Sequence, residues 1–177
     1  MNNFALFTDV SLDPRQRRGV GASLLVPVSF LYVQPGNITR DDVAVRLKVR
    51  RFENTSSTRI EIQTVVWALD EIQKTNPKHS QMTLQVYTDS QCVAGLPGRR
   101  PKLISCGFIS KKTGQALRNA DFYRAFYKCY DRIEFTIIKI AGHVRASSRD
   151  TVHHVFAYVD QEARKALKCW VRERKLE

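Results

Sequence analysis

A chain of 177 residues with 43% hydrophobic and 26% charged residues can bury a proper core and lies far from disordered or fibrous compositions. Its 29 lysines and arginines against 17 acids leave a net charge of +12, which argues for a polyanionic partner such as nucleic acid or an anionic membrane surface. No run approaches the ~18 consecutive apolar residues of a membrane span, and the start MNNFALFTDVS lacks a signal peptide's charged-then-apolar plan, so a cytosolic monomer with no membrane partner is expected.

Residues 4–10 read as a short apolar strand closing on Thr8-Asp9, followed by a turn at Asp13-Pro14 and the basic run 15–18. Residues 19–33 and 43–52 carry β-branched and alternating residues on either side of a turn at 34–37, so three strands in an antiparallel meander are expected. The period then changes. Ile62, Val65, Val66 and Leu69 recur at helical spacing over 58–74, with Ser56 or Ser57 as cap and Asn76-Pro77 as stop. Residues 82–87 are again strand-like and end in Thr88-Asp89, and 90–96 make a short helix closed by Pro97-Gly98. The segment 98–114 reads as irregular and basic, with Arg99, Arg100, Lys102, Lys111 and Lys112 and no acid. A helix over 115–130, a last strand over 133–140 and a C-terminal helix over 151–175 complete the order. Because a strand that follows a helix can join a sheet in parallel, the expectation is an α/β fold: one mixed sheet flanked by helices, a single domain over 1–177 with a basic protrusion at about 98–114. Cys92, Cys106, Cys129 and Cys169 are separated by 14, 23 and 40 residues, with no Cys-x-x-Cys pair, and read as reduced thiols.

Two strands end alike, in Thr-Asp followed within two residues by serine: Thr8-Asp9-Val10-Ser11 and Thr88-Asp89-Ser90. If the strands are neighbours, both carboxylates emerge at one edge of the sheet, where ligands tend to bind. Crowded carboxylates need a cation, and oxygen-only ligands suit magnesium or manganese. Taken singly, each residue has an ordinary explanation. A strand-end aspartate is a turn former or helix cap, Glu61 at the start of its helix offsets the helix dipole, and Asp160 is a solvated helix acid. Phe122, Tyr123, Phe126, Tyr127 and Tyr130 fall at helical spacing and are read mostly as core.

Together the motifs resemble ribonuclease H of the type 1 class. Thr8-Asp9, the segment Thr58-Arg59-Ile60-Glu61-Ile62 with Ala68-Leu69, and Thr88-Asp89-Ser90-Gln91 look like the first three metal-ligand motifs, in order. Asn119-Ala120-Asp121-Phe122-Tyr123, Gly142-His143 and Val159-Asp160-x-x-Ala163 resemble the later ones, so the likeness runs from about Phe4 to Arg164. It implies a ribonuclease H-like five-stranded mixed sheet, three antiparallel strands then parallel additions, with helices on both faces. It also implies hydrolysis of the RNA strand of RNA–DNA hybrids with two Mg2+ ions, Mn2+ being a substitute, held by Asp9, Glu61, Asp89 and Asp160. His143 is then expected in a loop near the leaving group, with His153 and His154 as alternatives. Gln91 would reach the minor groove, and Arg99, Arg100, Lys102, Lys111 and Lys112 would hold phosphates. The sequence departs from the family after its first aspartate, where Val10 replaces a glycine and 12–18 form a basic turn. Two other readings therefore stay open: a nuclease of this fold with a different strand preference, and a nucleic-acid-binding module without turnover.

Overall fold

The structure is a computed structural model that describes residues 2–75, 82–142, 145 and 149–173. Five strands form one sheet in the order β3-β2-β1-β4-β5: β1 (Asn2–Asp13), β2 (Arg18–Pro27), β3 (Leu47–Phe52), β4 (Met82–Thr88) and β5 (Phe135–Lys139). The first three pair antiparallel, and β4 and β5 add in parallel. The helices are α1 (Arg40–Ala44), α2 (Ser57–Thr75), α3 (Gln91–Ala94), α4 (Leu96–Ser105), α5 (Ala120–Tyr130) and α6 (Thr151–Glu173). No helix among the described residues is long and apolar enough to cross a membrane.

Successive strand residues point to opposite faces, and both faces of β1 are covered. Leu6 enters one core layer with Ile62, Val65 and Leu69 of α2, Leu84 and Val86 of β4 and Phe126 of α5. Ala5 and Phe7 enter the other with Ala22, Leu24 and Val26 of β2 and Val155, Phe156, Val159 and Ala163 of α6. A strand buried on both sides needs apolar residues at odd and even positions alike, which is why Phe4 to Phe7 is a continuous run rather than an alternation. Each fully buried side chain of this size contributes roughly 1.5–3 kcal/mol. The two layers fix α2 and α6 on opposite faces of the central strands.

The structure corrects four of the sequence-derived elements. Strand β2 ends at Pro27 and the chain enters a 3-10 turn over Val28–Tyr32, where strand was expected to run to residue 33. Residues 43 and 44 are helical because Thr39 and Asp42 form a capping box. The Thr39 hydroxyl accepts from the Asp42 amide at 3.3 Å, and Asp42 accepts from the Thr39 amide at 2.9 Å. The segment 98–114 is not irregular throughout: Pro97-Gly98, expected to close a helix, instead lies in the first turn of α4. Proline is favoured there because the first amides of a helix lack partners within it. Helix α5 begins at Ala120 rather than 115, the preceding residues being drawn into a bridge between Ile109 and Ala116.

Candidate active site

Strands β1 and β4 run parallel with Phe7 opposite Tyr87 as the last pair, and Asp9 and Asp89 lie two residues beyond it on their respective chains. The ends of neighbouring strands thus deliver two of the four expected acids to one edge. Helix α2 delivers the third. It lies close on β2 because Gly19 and Gly21 have no side chain: a Cβ on Gly21 would stand 2.1 Å from the Thr64 hydroxyl, and one on Gly19 would stand 2.3 Å from Ile60. Glu61, one turn before Thr64, shares a small recess with Thr8, Asp9, Val10, Thr64, Thr88, Asp89 and Ser90. Helix α6 brings Asp160 to Asp9 from the opposite face through the packing of Val155, Val159 and Ala163.

The electrostatics tie the four acids into a chain. Burial pushes the Asp9 carboxyl up to about 8, opposed by the Val10 amide and reinforced by the charges of Asp89 and Asp160 and a carboxyl–carboxyl hydrogen bond with Asp160. Burial also raises Glu61; the Ser90 hydroxyl, which donates to it at 2.6 Å, opposes the rise and the Asp89 charge adds to it. Asp89 is exposed, and Gly142 closes against it so tightly that a Cβ there would lie 3.2 Å from its carboxylate. Such a group of carboxylates is at odds with itself until positive charge joins it.

A divalent cation fits this donor set in its chemistry, since the set is all oxygen and partly buried among like charges. The side chains are not gathered to receive one: among the described residues no three His, Cys, Asp or Glu groups stand close enough to hold a metal ion. Two of the four carboxylates are held by internal bonds. Ser90 holds Glu61, and Arg164 holds Asp160 at 2.7 Å. The hydroxyls of Thr8 and Thr64, both buried in the recess, have no hydrogen-bond partner among the described residues.

The other expected residues are placed less uniformly. Gln91 is exposed at the start of α3, directly after Ser90. His143 lies outside the described residues. Its alternatives are engaged elsewhere, with His153 Nδ1 against Asp150 at 2.6 Å and the His154 ring edge-on to Tyr158. Of the five cations, two are turned onto the chain itself. Arg99 donates to the Cys92 and Gly95 carbonyls, and Arg100 makes a two-pronged pair with Asp131 at 2.6 and 2.8 Å. Lys102, Lys111 and Lys112 are exposed, with Lys102 and Lys111 lining a cavity of about 440 Å3 beside Arg99. The Arg100 pair has no sequence signal, because its partner lies 31 positions away. We expect Lys102→Gln/Lys111→Gln/Lys112→Gln to weaken duplex binding and flatten its salt dependence by about one for each phosphate no longer neutralised. Arg100→Gln should lower the melting temperature more than the affinity. Binding isotherms at several salt concentrations alongside thermal melts check both, and a larger affinity loss for Arg100→Gln would contradict it.

The sheet order, with two strand-end acids flanked by acids from α2 and α6, defines a ribonuclease H-like architecture. A family model described as RNase H matches residues 1–168, and the chain belongs to that family of nucleases, which generally use divalent metal ions. Among solved structures it is similar to the solution structure of the PFV RNase H domain, at 17% identity and TM-score 0.62, covering 93% of this chain and 92% of that one. It is also similar to the crystal structure of the native prototype foamy virus protease-reverse transcriptase, at 17% identity and TM-score 0.61, where 92% of this chain spans 20% of that one. A third likeness, at 12% identity and TM-score 0.55, covers 92% of this chain and 93% of the chain from a foamy viral protease-reverse transcriptase in complex with dsDNA. At these identities the structural neighbours carry the fold alone. No curated protein matches significantly by sequence.

Proposed function

We propose that the chain is an endonuclease that hydrolyses the RNA strand of RNA–DNA hybrids, with its reaction centre at Asp9, Glu61, Asp89 and Asp160. The observation that supports this most is the convergence of Asp9, Asp89 and Asp160 through their charges, with Glu61 joined to the group through Asp89, from four separate elements of an RNase H family fold. A protein that only bound nucleic acid would gain nothing from carboxylates that repel phosphate.

Two divalent ions, magnesium with manganese as a substitute, would supply an activated water and charge neutralisation at the leaving oxygen. Asp9 would help hold the ions, since the charges of both Asp89 and Asp160 act on it. Glu61, Asp89 and Asp160 would hold the ions with it, the carboxylates of Glu61 and Asp160 being those now bonded to Ser90 and Arg164. His143 is proposed to move a proton at the leaving group. Gln91 is proposed to contact base edges and the 2′-hydroxyl that marks a strand as RNA. Arg99, Arg100, Lys102, Lys111 and Lys112 are the proposed phosphate contacts, with the lysines carrying most of the affinity. The same reading takes residues 1–177 as one domain, with 98–114 as its basic protrusion, acting as a cytosolic monomer.

A second reading, the same chemistry with another strand preference, is favoured by the segment after Asp9. There β1 continues through Val10 to Asp13 into the turn at 14–17, whose side chains are exposed. The test is cleavage of labelled RNA–DNA hybrid against double-stranded RNA, single-stranded RNA and duplex DNA, with magnesium or manganese and with Asp9→Asn as control. Metal-dependent cutting of the hybrid's RNA strand alone, lost in the variant, supports the proposal. Cutting of another substrate favours the second reading, and binding without cutting sinks both.

A further inference from the structure

We infer that the exposed face of α6 beyond Asp160 is a second phosphate track, which takes the backbone of a nucleic-acid duplex where it leaves the cleavage site. The inference rests on the reading of the chain as a nucleic-acid enzyme and extends it to a surface that neither the motifs nor the basic protrusion includes.

A cavity of about 910 Å3 opens along this face, lined in part by Arg164, Lys165, Lys168 and Arg172 of α6 and, from other elements, by Arg40 and Asp13. From 164 to 172 the helix carries these four cations and no acid. Arg164, Lys168 and Arg172 are spaced four residues apart, so they fall on one stripe and rise ~6 Å at each step. The ~12 Å from first to last matches three to four steps of a strand whose phosphates advance about 3.4 Å along the axis. The stripe begins at the proposed reaction centre, since Arg164 is bonded to Asp160.

Asp160 pairs with Arg164 at the start of the stripe, and the other acids near it are committed elsewhere. Glu162 takes Arg40 and reaches Lys165 only at 4.0 Å, Glu173 takes Arg51 at 2.8 Å, and Asp13 accepts the amides of Arg15 and Gln16 in its own turn. Lys168 and Arg172 make no ion pair among the described residues. The helix dipole favours cations in the last turn only, which accounts for Arg172 and not for Arg164, Lys165 and Lys168 before it. A merely solvated face would mix charges of both signs.

The experiment is binding of a fluorescently labelled 20-base-pair RNA–DNA hybrid in chelator, where nothing is cut, across a salt series. Wild type is compared with Lys168→Gln/Arg172→Gln and with Lys48→Gln/Lys74→Gln, which removes the same charge from two lysines paired with Glu71. Thermal melts confirm that each variant folds. The α6 variant should bind roughly tenfold more weakly at low salt, with the slope of log affinity against log salt reduced by about two. A change no larger than that of the control pair would overturn the track. Hybrid bound with the expected loss of slope but never cut by wild type with metal would sink the nuclease reading and leave the track standing. Hybrid that is cut by a protein whose slope does not fall would do the reverse.

Discussion

Asp9→Asn is expected to abolish hybrid cleavage and at the same time to make the metal-free protein more stable above neutral pH. The activity loss should be at least about a hundredfold to thousandfold, the scale on which one strategically placed electrostatic group acts. The stability gain follows from the position of Asp9 among like charges. Its carboxyl has an ordinary value of 3.8 and is pushed up to about 8 in the fold, chiefly by burial. Between those two values the native state holds a proton that the unfolded chain has released, so stability falls as pH rises from about 4 and levels off above about 8. Asparagine keeps the shape and removes the charge, so the variant lacks this part of the slope. A relief of ~1–3 kcal/mol corresponds to a gain of several degrees in melting temperature for a chain of this size. Melts in chelator at pH 5 and pH 8 should show the two proteins close together at the lower pH and separated at the higher. Added magnesium should raise the melting temperature of wild type more than that of the variant. Equal melting temperatures in chelator at pH 8 would mean that the Asp9 carboxylate does not carry this strain.

What the sequence disclosed about this arrangement, and what it hid, divides along the range of the interactions concerned. Asp9 and Asp89 were legible because each closes an apolar strand, and the parallel pairing of β1 and β4 that joins them follows from the strand, helix, strand order. Glu61 and Asp160 were legible only through the resemblance, since each alone is an ordinary helix acid. The capping box at Thr39 and Asp42 was not read, because the β-branched residues around 43–52 read as strand. Helix α4 was hidden by its own composition, because Pro97, Gly98 and Pro101 all count against a helix when read as local propensity. It is secured by groups distant in sequence: the buried Tyr127 hydroxyl donates to the Leu96 carbonyl at 2.7 Å, and Arg100 reaches Asp131. The partners of Arg100 and Glu61, 31 and 29 positions away, were invisible for the same reason, whereas those of Arg99 and Asp160 lie within seven residues and were missed because charge alone does not say which neighbour it meets. A charge can be counted in a sequence, but whether it is free for a ligand depends on what the fold sets beside it.

The closeness of α2 to β2 was missed altogether, and it predicts that Gly21→Ala should damage both stability and activity although Gly21 is not among the acids. Gly21 sits opposite Val10 in β1 and Arg50 in β3. Its φ is not the reason for glycine here; the reason is space. A Cβ would meet Thr64 at 2.1 Å from the hydroxyl, 2.8 Å from the methyl and 2.9 Å from its own Cβ, and Thr64 is fully buried. The helix must therefore move outward, at a cost of about 1–3 kcal/mol for overpacking, which lowers the melting temperature by several degrees. Glu61 is carried on the same helix one turn earlier, so the displacement draws its carboxylate away from Asp89. A shift near 1 Å at a reacting group can cost on the order of a hundredfold in rate. Thr64→Ala removes the two closest atoms and leaves only the Cβ in the way, so the double variant Gly21→Ala/Thr64→Ala should recover much of both losses. The measured coupling between the two positions, in stability and in hybrid cleavage, is the decisive quantity. Additive losses would show that Gly21 is needed for the strand itself, and that the position of Glu61 is set by something other than the approach of α2.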